Sequence, residues 1–176
     1  MIVLDLGCYE HGSLESCRLL AQRFQPDALF AFDPHPGTQP LTFFIDGIPC
    51  SIERKAAWIW DGQVTYEPDG VASTLIHRNE PCLPDHMRLE PQPRIMADCF
   101  DLEQWILDRV PLDDPCVVKM DIEGAEYPLL NHLILQDNAI WRIQYLLVEW
   151  HGNERRRWRL EDRLREVGMT VEGWAH

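Results

Sequence analysis

The sequence is poor in positive charge. Sixteen Lys and Arg stand against 29 Asp and Glu, a net charge of −13 with His neutral. Phosphate backbones need a basic surface, so no nucleic-acid partner is expected. The six cysteines (Cys8, Cys17, Cys50, Cys82, Cys99 and Cys116) contain no C-x-x-C pair. A zinc ribbon or thioredoxin-type site is therefore not expected, and buried free thiols are. No other spacing calls for a metal. No apolar run approaches the roughly 18 residues of a membrane helix. No basic segment followed by an apolar one marks a signal peptide. The expectation is a cytoplasmic protein with no membrane partner. No internal repeat or low-complexity tract appears. Its 176 residues suffice for one domain with a real core, taken over 1–176.

What is present alternates between strand and helix patterns. Ile2-Val3-Leu4-Asp5-Leu6 is a short apolar run closed by Gly7. After the loop Gly7 to Gly12 come Leu14, Cys17, Leu20, Ala21 and Phe24 at helical spacing, with Ser13 as N-cap. Ala28-Leu29-Phe30-Ala31-Phe32 is a second strand ended by Asp33-Pro34. This is a βαβ unit. Residues Ile48 to Ala57 supply a third strand. Asp61-Gly62 carries the signal of a two-residue hairpin pairing Ile59 with Val64 and Ala57 with Tyr66, with Trp58 and Trp60 sharing the other face. Residues 67–93 read as a long loop, so hairpin and loop form an insertion at about 56–93. A short strand, Arg94 to Ala97, ends at Asp98, and a helix follows over 101–109. Val117-Val118-Lys119-Met120 leads into the acidic turn Asp121-Ile122-Glu123-Gly124-Ala125-Glu126, then a helix through Leu129, Leu130, Leu133 and Ile134. Ile143 to Glu149 is another strand, ending in Trp150-His151-Gly152. The last helix turns Leu160, Leu164 and Val167 inward and Arg155, Arg156, Arg157 and Arg159 outward, and Met169 to Glu172 form a final strand. The expected fold is α/β, a Rossmann-like doubly wound, mostly parallel sheet with a β-hairpin insertion.

In such folds ligands bind outside the carboxyl ends of the strands. Three constellations fall there. The first is Asp5-Leu6-Gly7-Cys8-Tyr9-Glu10-His11-Gly12. A dinucleotide fingerprint needs glycine at position 9 to admit a pyrophosphate, and Tyr9 stands there. A nicotinamide oxidoreductase is thereby disfavoured, whereas a nucleoside cofactor without pyrophosphate, S-adenosylmethionine above all, fits; Asp5 would orient its amino-acid moiety. The second is Asp33, whose carboxylate can accept from both ribose hydroxyls, with Asp98 facing the adenine amino group. The third joins Asp121 to His151, the one histidine that follows a long apolar strand and a residue suited to general base catalysis. His11, His35, His77 and His86 lie in loops that can line the site.

These blocks resemble the FkbM-type methyltransferases of the class I S-adenosylmethionine-dependent group. Asp5-Leu6-Gly7 is similar to the first motif, D-x-G-A-N-x-G, and Phe30-Ala31-Phe32-Asp33-Pro34 to the second, commonly Glu-Pro. Lys119 to Glu126 closely resembles the K-x-D-x-E-G-x-E block. Ala56-Ala57, the Asp-Gly hairpin and Ser73 resemble the strand-plus-hairpin insertion, and Val148-Glu149-Trp150-His151 the terminal E-x-H strand. The matches span residues 2–151. Departures are Cys8-Tyr9 for Ala-Asn, a second glycine one residue late, and Asp33 for Glu.

The resemblance implies an S-adenosylmethionine-dependent O-methyltransferase acting on a hydroxyl of a small molecule or sugar. Asp5, Gly7, Cys8, Tyr9, Gly12, Ser13, Asp33, Asp98 and Asp121 would hold the cofactor. His151 or Asp121 would be the base, with Glu123 beside them and Lys119, Glu123 and Glu126 ordering the turn and the start of the helix. Family members usually carry residues before the first strand that cover the site, so a trimmed chain or cover borrowed from a second copy in a homo-oligomer is expected. The rival expectation is a non-catalytic binding module that retains the fold and uses the Trp58/Trp60 face and the 67–93 loop as its partner or glycan surface.

Overall fold

A computed structural model describes residues 1–8, 14–67, 74–77, 80–81, 94–151 and 154–174, with the backbone alone for 74–77 and 80–81. Tyr9, His11, Gly12, Ser13, Ser73, Cys82 and His86 lie outside the described residues.

The fold is α/β, built on a seven-stranded, mostly parallel sheet. Its strands are β1 (Ile2–Leu6), β2 (Ala28–Phe32), β3 (Leu41–Ile45), β4 (Ile48–Glu53), β10 (Cys116–Met120), β11 (Ile143–Val148) and β12 (Thr170–Gly173). Their spatial order is β12-β11-β10-β1-β2-β4-β3, and only β3 runs antiparallel to its neighbour. Burial of both faces explains why β1 and β10 read as near-continuous apolar runs. Leu4, Leu6, Val118, Met120, Leu146 and Val148 pack with α2 (Leu102–Arg109), α3 (Glu126–Gln136) and α4 (Glu154–Glu166). Val3, Leu29, Ala31, Val117 and Leu147 pack on the opposite face with Cys17, Leu20 and Ala21 of α1 (Glu15–Phe24). The N-cap position of α1 is Leu14, one residue after the expected Ser13, and no side chain caps it. Cys8, Cys17, Cys50, Cys99 and Cys116 are free and buried, as expected. Among the described residues no helix is long and apolar enough to cross a membrane.

The insertion differs from its expected form. Residues Ile48 to Ala57 are two strands in two sheets, β4 and β5 (Ala56–Trp58). A second sheet has the order β5-β9-β6-β7-β8, with β6 (Gly62–Glu67), β7 (Thr74–His77), β8 (Glu80–Pro81) and β9 (Ile95–Asp101). Parts of the expected 67–93 loop are thus strand. β5 and β6 do not pair with each other, because β9 lies between them: Cys99 faces Ala56 on one side and Gly62 on the other. The Asp61-Gly62 step is used differently, the Asp61 carboxylate accepting from the Asp101 amide at 3.2 Å. Trp58 and Trp60 consequently differ in burial, 1% against 42% exposed, and meet edge to face. The two-residue Asp-Gly hairpin occurs at Asp46-Gly47, both in the left-handed region, joining β3 to β4 with Ile45 opposite Ile48.

This topology separates the two tryptophans. Trp58→Ala should cost about 3–5 kcal/mol, as for a buried aromatic truncation, and Trp60→Ala about 1 kcal/mol or less. Denaturant midpoints of the two variants check it; similar losses would restore the direct β5–β6 hairpin.

Candidate functional site

The parallel strands reach one rim at their carboxyl ends, and backbone bonds continue the ladder beyond them. Gly7 N donates to Phe32 O at 2.9 Å, Asp121 N to Leu6 O at 3.0 Å, and Glu149 N to Met120 O at 2.9 Å. Gly7 adopts φ +82°, and a Cβ built there would stand 1.7 Å from the Asp121 carbonyl oxygen. Glycine is required because the end of β1 presses directly on the end of β10.

The centre of this contact is charged. Asp5 and Lys119 are register partners on β1 and β10, so their side chains share the α1 face. Both are fully buried. The Lys119 ammonium donates to the Gly7 carbonyl at 2.6 Å and lies 3.1 Å from Asp5 Oδ1 and 3.5 Å from Asp121 Oδ2. Asp5 Oδ2 accepts from Ser16 Oγ at 2.6 Å and Cys17 Sγ at 3.4 Å. Burial acts to lower the Lys119 pKa, but Asp5 and Asp121 outweigh it and hold the ammonium above its usual range. Burial, then the Asp5 charge, pushes the Cys8 thiol well up, so Cys8 is an inert thiol. Asp5 is thus the fourth residue of its strand, facing α1 rather than the rim.

The turn after β10 is fixed from below by Glu126, which is fully buried. Its carboxylate accepts from Ile122 N at 3.0 Å and Gly124 N at 2.9 Å. Glu123 is held in the left-handed region, φ +54°, beside Gly124 at +94°. A non-glycine residue there carries strain that the surrounding bonds must hold. The result turns Glu123 toward His151, which follows β11. His151 Nδ1 lies 3.1 Å from Glu126 Oε1, and its Nε2 lies 3.4 Å from Glu123 Oε2, 3.7 Å from Glu149 Oε1 and 3.8 Å from Asp121 Oδ1. The nearest donor atoms of Asp121, Glu123 and His151 all lie within 4.8 Å of one another.

Burial acts to lower the His151 pKa. The Glu126 hydrogen bond, with the charges of Glu126, Glu123 and Asp121, raises it instead to about 9. Burial raises Glu123 to about 7, against the pull of His151 and with Asp121, Glu126 and Glu149 adding to it. At neutral pH the imidazole therefore holds its proton in the chain as it stands, and the two groups titrate as one coupled unit.

The remaining expected residues are spread around this rim. Asp33 ends β2, nearly buried, and its Oδ1 accepts from His35 N at 2.7 Å. Asp98 is not at a strand end. It lies within β9, exposed, and accepts from Gln63 Nε2 at 3.1 Å. The expected strand end fails because β9 continues through Cys99 and Phe100, both buried. Asp98 lines an open groove of about 360 Å³ with Pro34, Pro36, Arg54 and Gln63. Tyr9, Gly12 and Ser13 fall outside the described residues. The sequence reading did not single out Glu149 as a site residue. The signal was available, since Glu149 and His151 are two residues apart just past the end of β11, where the structure brings their side chains to 3.7 Å.

No family model, curated protein or solved structure matches this chain.

Removing the buried ammonium should be costly. Lys119→Met leaves Asp5 charged and unpaired, with an expected loss of about 3–5 kcal/mol, whereas Lys119→Met combined with Asp5→Asn should recover most of it. Chemical denaturation of the parent, Lys119→Met, Asp5→Asn and the double variant gives the coupling; additive losses would mean the pair is not a unit.

Proposed function

We propose that the chain is an S-adenosylmethionine-dependent methyltransferase that acts on a hydroxyl of a small molecule or sugar. One observation carries the reading. The turn Asp121–Glu126 stands at the point where the strand order reverses, with β1, β2 and β4 running to one side and β10, β11 and β12 to the other. Counting the six parallel strands in chain order, the sheet reads 3-2-1-4-5-6, the order of the Rossmann-like doubly wound fold, whose ligands lie in the crevice at that reversal.

The rim suits such a cofactor. Its carboxylates complement a sulfonium and an ammonium, both cationic. Asp33 borders the groove through Pro34, on the side where a ribose acid is expected. Asp5 acts at one remove in this reading: through Lys119 it fixes the Gly7 carbonyl and so the start of the loop Gly7–Ser13, with Cys8 and Tyr9 in it. Asp98 would form a wall of the nucleoside groove from mid-strand. The bound cofactor would supply an activated methyl group for in-line displacement. The chain's own residues position the acceptor oxygen and exclude water, which is the larger part of such catalysis. Asp121 and Glu123 are the groups that would receive the acceptor's proton, and His151 would join them once it has shed its own.

The rival, a binding module that keeps the fold, draws on Asp5 being committed to the buried ion pair. Calorimetry with S-adenosylmethionine separates the two, followed by labelled methyl transfer to a panel of hydroxylated acceptors. Binding with turnover is expected. His151→Ala should keep cofactor binding and lower turnover by about 10²–10⁴-fold. The absence of binding at millimolar cofactor would sink the methyltransferase reading, and binding without turnover on any acceptor would favour the module.

A further inference from the structure

His151 Nε2 has three carboxylate oxygens around it, those of Glu123, Glu149 and Asp121, at 3.4, 3.7 and 3.8 Å. All three distances exceed an ordinary hydrogen bond. One ring nitrogen carries at most one hydrogen, directed along one line, so a proton serves at most one of these oxygens well. The donor atoms of Asp121, Glu123 and His151 lie within 4.8 Å of one another around a common gap, and Glu149 Oε1 reaches the same nitrogen. From this geometry we infer that Asp121, Glu123, Glu149 and His151 form a binding site for a single divalent cation of the Mn²⁺ type.

The donor set has the chemistry for it. One imidazole with two or three carboxylates suits a borderline-hard divalent ion rather than a thiophilic one. A shared ion at about 2.1 Å from each ligand asks for adjacent donors roughly 3.0–3.4 Å apart, and the carboxylate oxygens at 3.4, 3.7 and 3.8 Å from Nε2 stand close to that spacing from the imidazole. The outer contacts are also those of a metal histidine. Nδ1 faces the buried Glu126 at 3.1 Å, which fixes the ring and turns Nε2 into the gap. Asp121 divides its oxygens, Oδ2 toward Lys119 and Oδ1 toward His151, so the Lys119 ammonium does not occupy the oxygen that faces the imidazole. The four ligands are partly exposed, so an ion can enter. They come from two segments, 121–123 and 149–151, each following a parallel strand, and strand pairing sets their spacing. This inference does not depend on methyl transfer. Where both hold, the ion would orient the acceptor oxygen and ease loss of its proton.

The test is a Mn²⁺ titration of the full chain followed by electron paramagnetic resonance, with neither cofactor nor acceptor present. The expected result is one ion bound per chain. Glu123→Gln should weaken binding roughly 10- to 100-fold, and Glu123→Gln with His151→Ala should abolish it, circular dichroism confirming that both remain folded. Asp108→Asn, an acid on α2, should bind as the parent does. No binding by the folded parent at millimolar Mn²⁺, or undiminished binding by the folded double variant, would overturn the site. Because the titration contains no S-adenosylmethionine, failure of the methyltransferase reading leaves its outcome unaffected.

Discussion

One buried ammonium holds the rim of this sheet together. Lys119 joins β10 to β1 through Asp5, to the turn after β10 through Asp121, and to the turn after β1 through the Gly7 carbonyl. A lysine removed from water is tolerated only where carboxylates and a carbonyl replace its hydration. Here they do so at the point where two strand ends touch so closely that Gly7 admits no side chain. The ion pair thus fixes the relative height of the two turns from which any ligand at this rim must be addressed. It also uses up Asp5, which a reading by motif alone would have sent to the ligand.

The second constraint is Glu126. It begins α3, yet its carboxylate works backward, closing the turn on Ile122 and Gly124 and orienting His151. One buried acid therefore sets both the strained backbone of Glu123 and the ring direction of the imidazole that Glu123 faces. The cluster is preorganised by groups that do not themselves face the opening, as in sites whose precision comes from a supporting shell. The turn's three acids have distinct roles: Glu126 is internal scaffold, Asp121 is shared between scaffold and opening, and Glu123 belongs to the opening.

The main sheet was largely legible in the sequence, because each parallel strand is a short apolar run punctuated by Gly, Pro or Asp, and each covering helix repeats its apolar residues at helical spacing. The second sheet was not. Asp-Gly occurs three times, at Asp46-Gly47, Asp61-Gly62 and Asp69-Gly70, and the local signal is the same at the first two. Which becomes the hairpin is decided by a partner thirty or more residues away: β9 takes both edges that a β5–β6 hairpin would have joined. The same extension of β9 through Cys99 and Phe100 moved Asp98 from a strand end to mid-strand. At the candidate site, Asp121, Glu123 and His151 were legible as rim residues because strand ends can be counted. The roles of Asp5 and Glu126 were not, because burial by a facing helix or turn leaves no mark on residue type.

The acidity of the chain gains a local meaning from this rim. Across the surface, a charge of −13 bears on solubility and on which partners approach. At the strand ends the same sign is concentrated around one imidazole within a partly buried crevice, where charges are screened less than on open surface. Neutral ligands gain little from such a field, and anions are repelled. A sulfonium cofactor and a divalent ion are both cations, and both complement it. The acids explain in one stroke why the imidazole is held protonated and what would replace that proton: a positive group able to meet several carboxylates at once. Any ligand of this rim must supply that charge or displace the imidazolium that now supplies it.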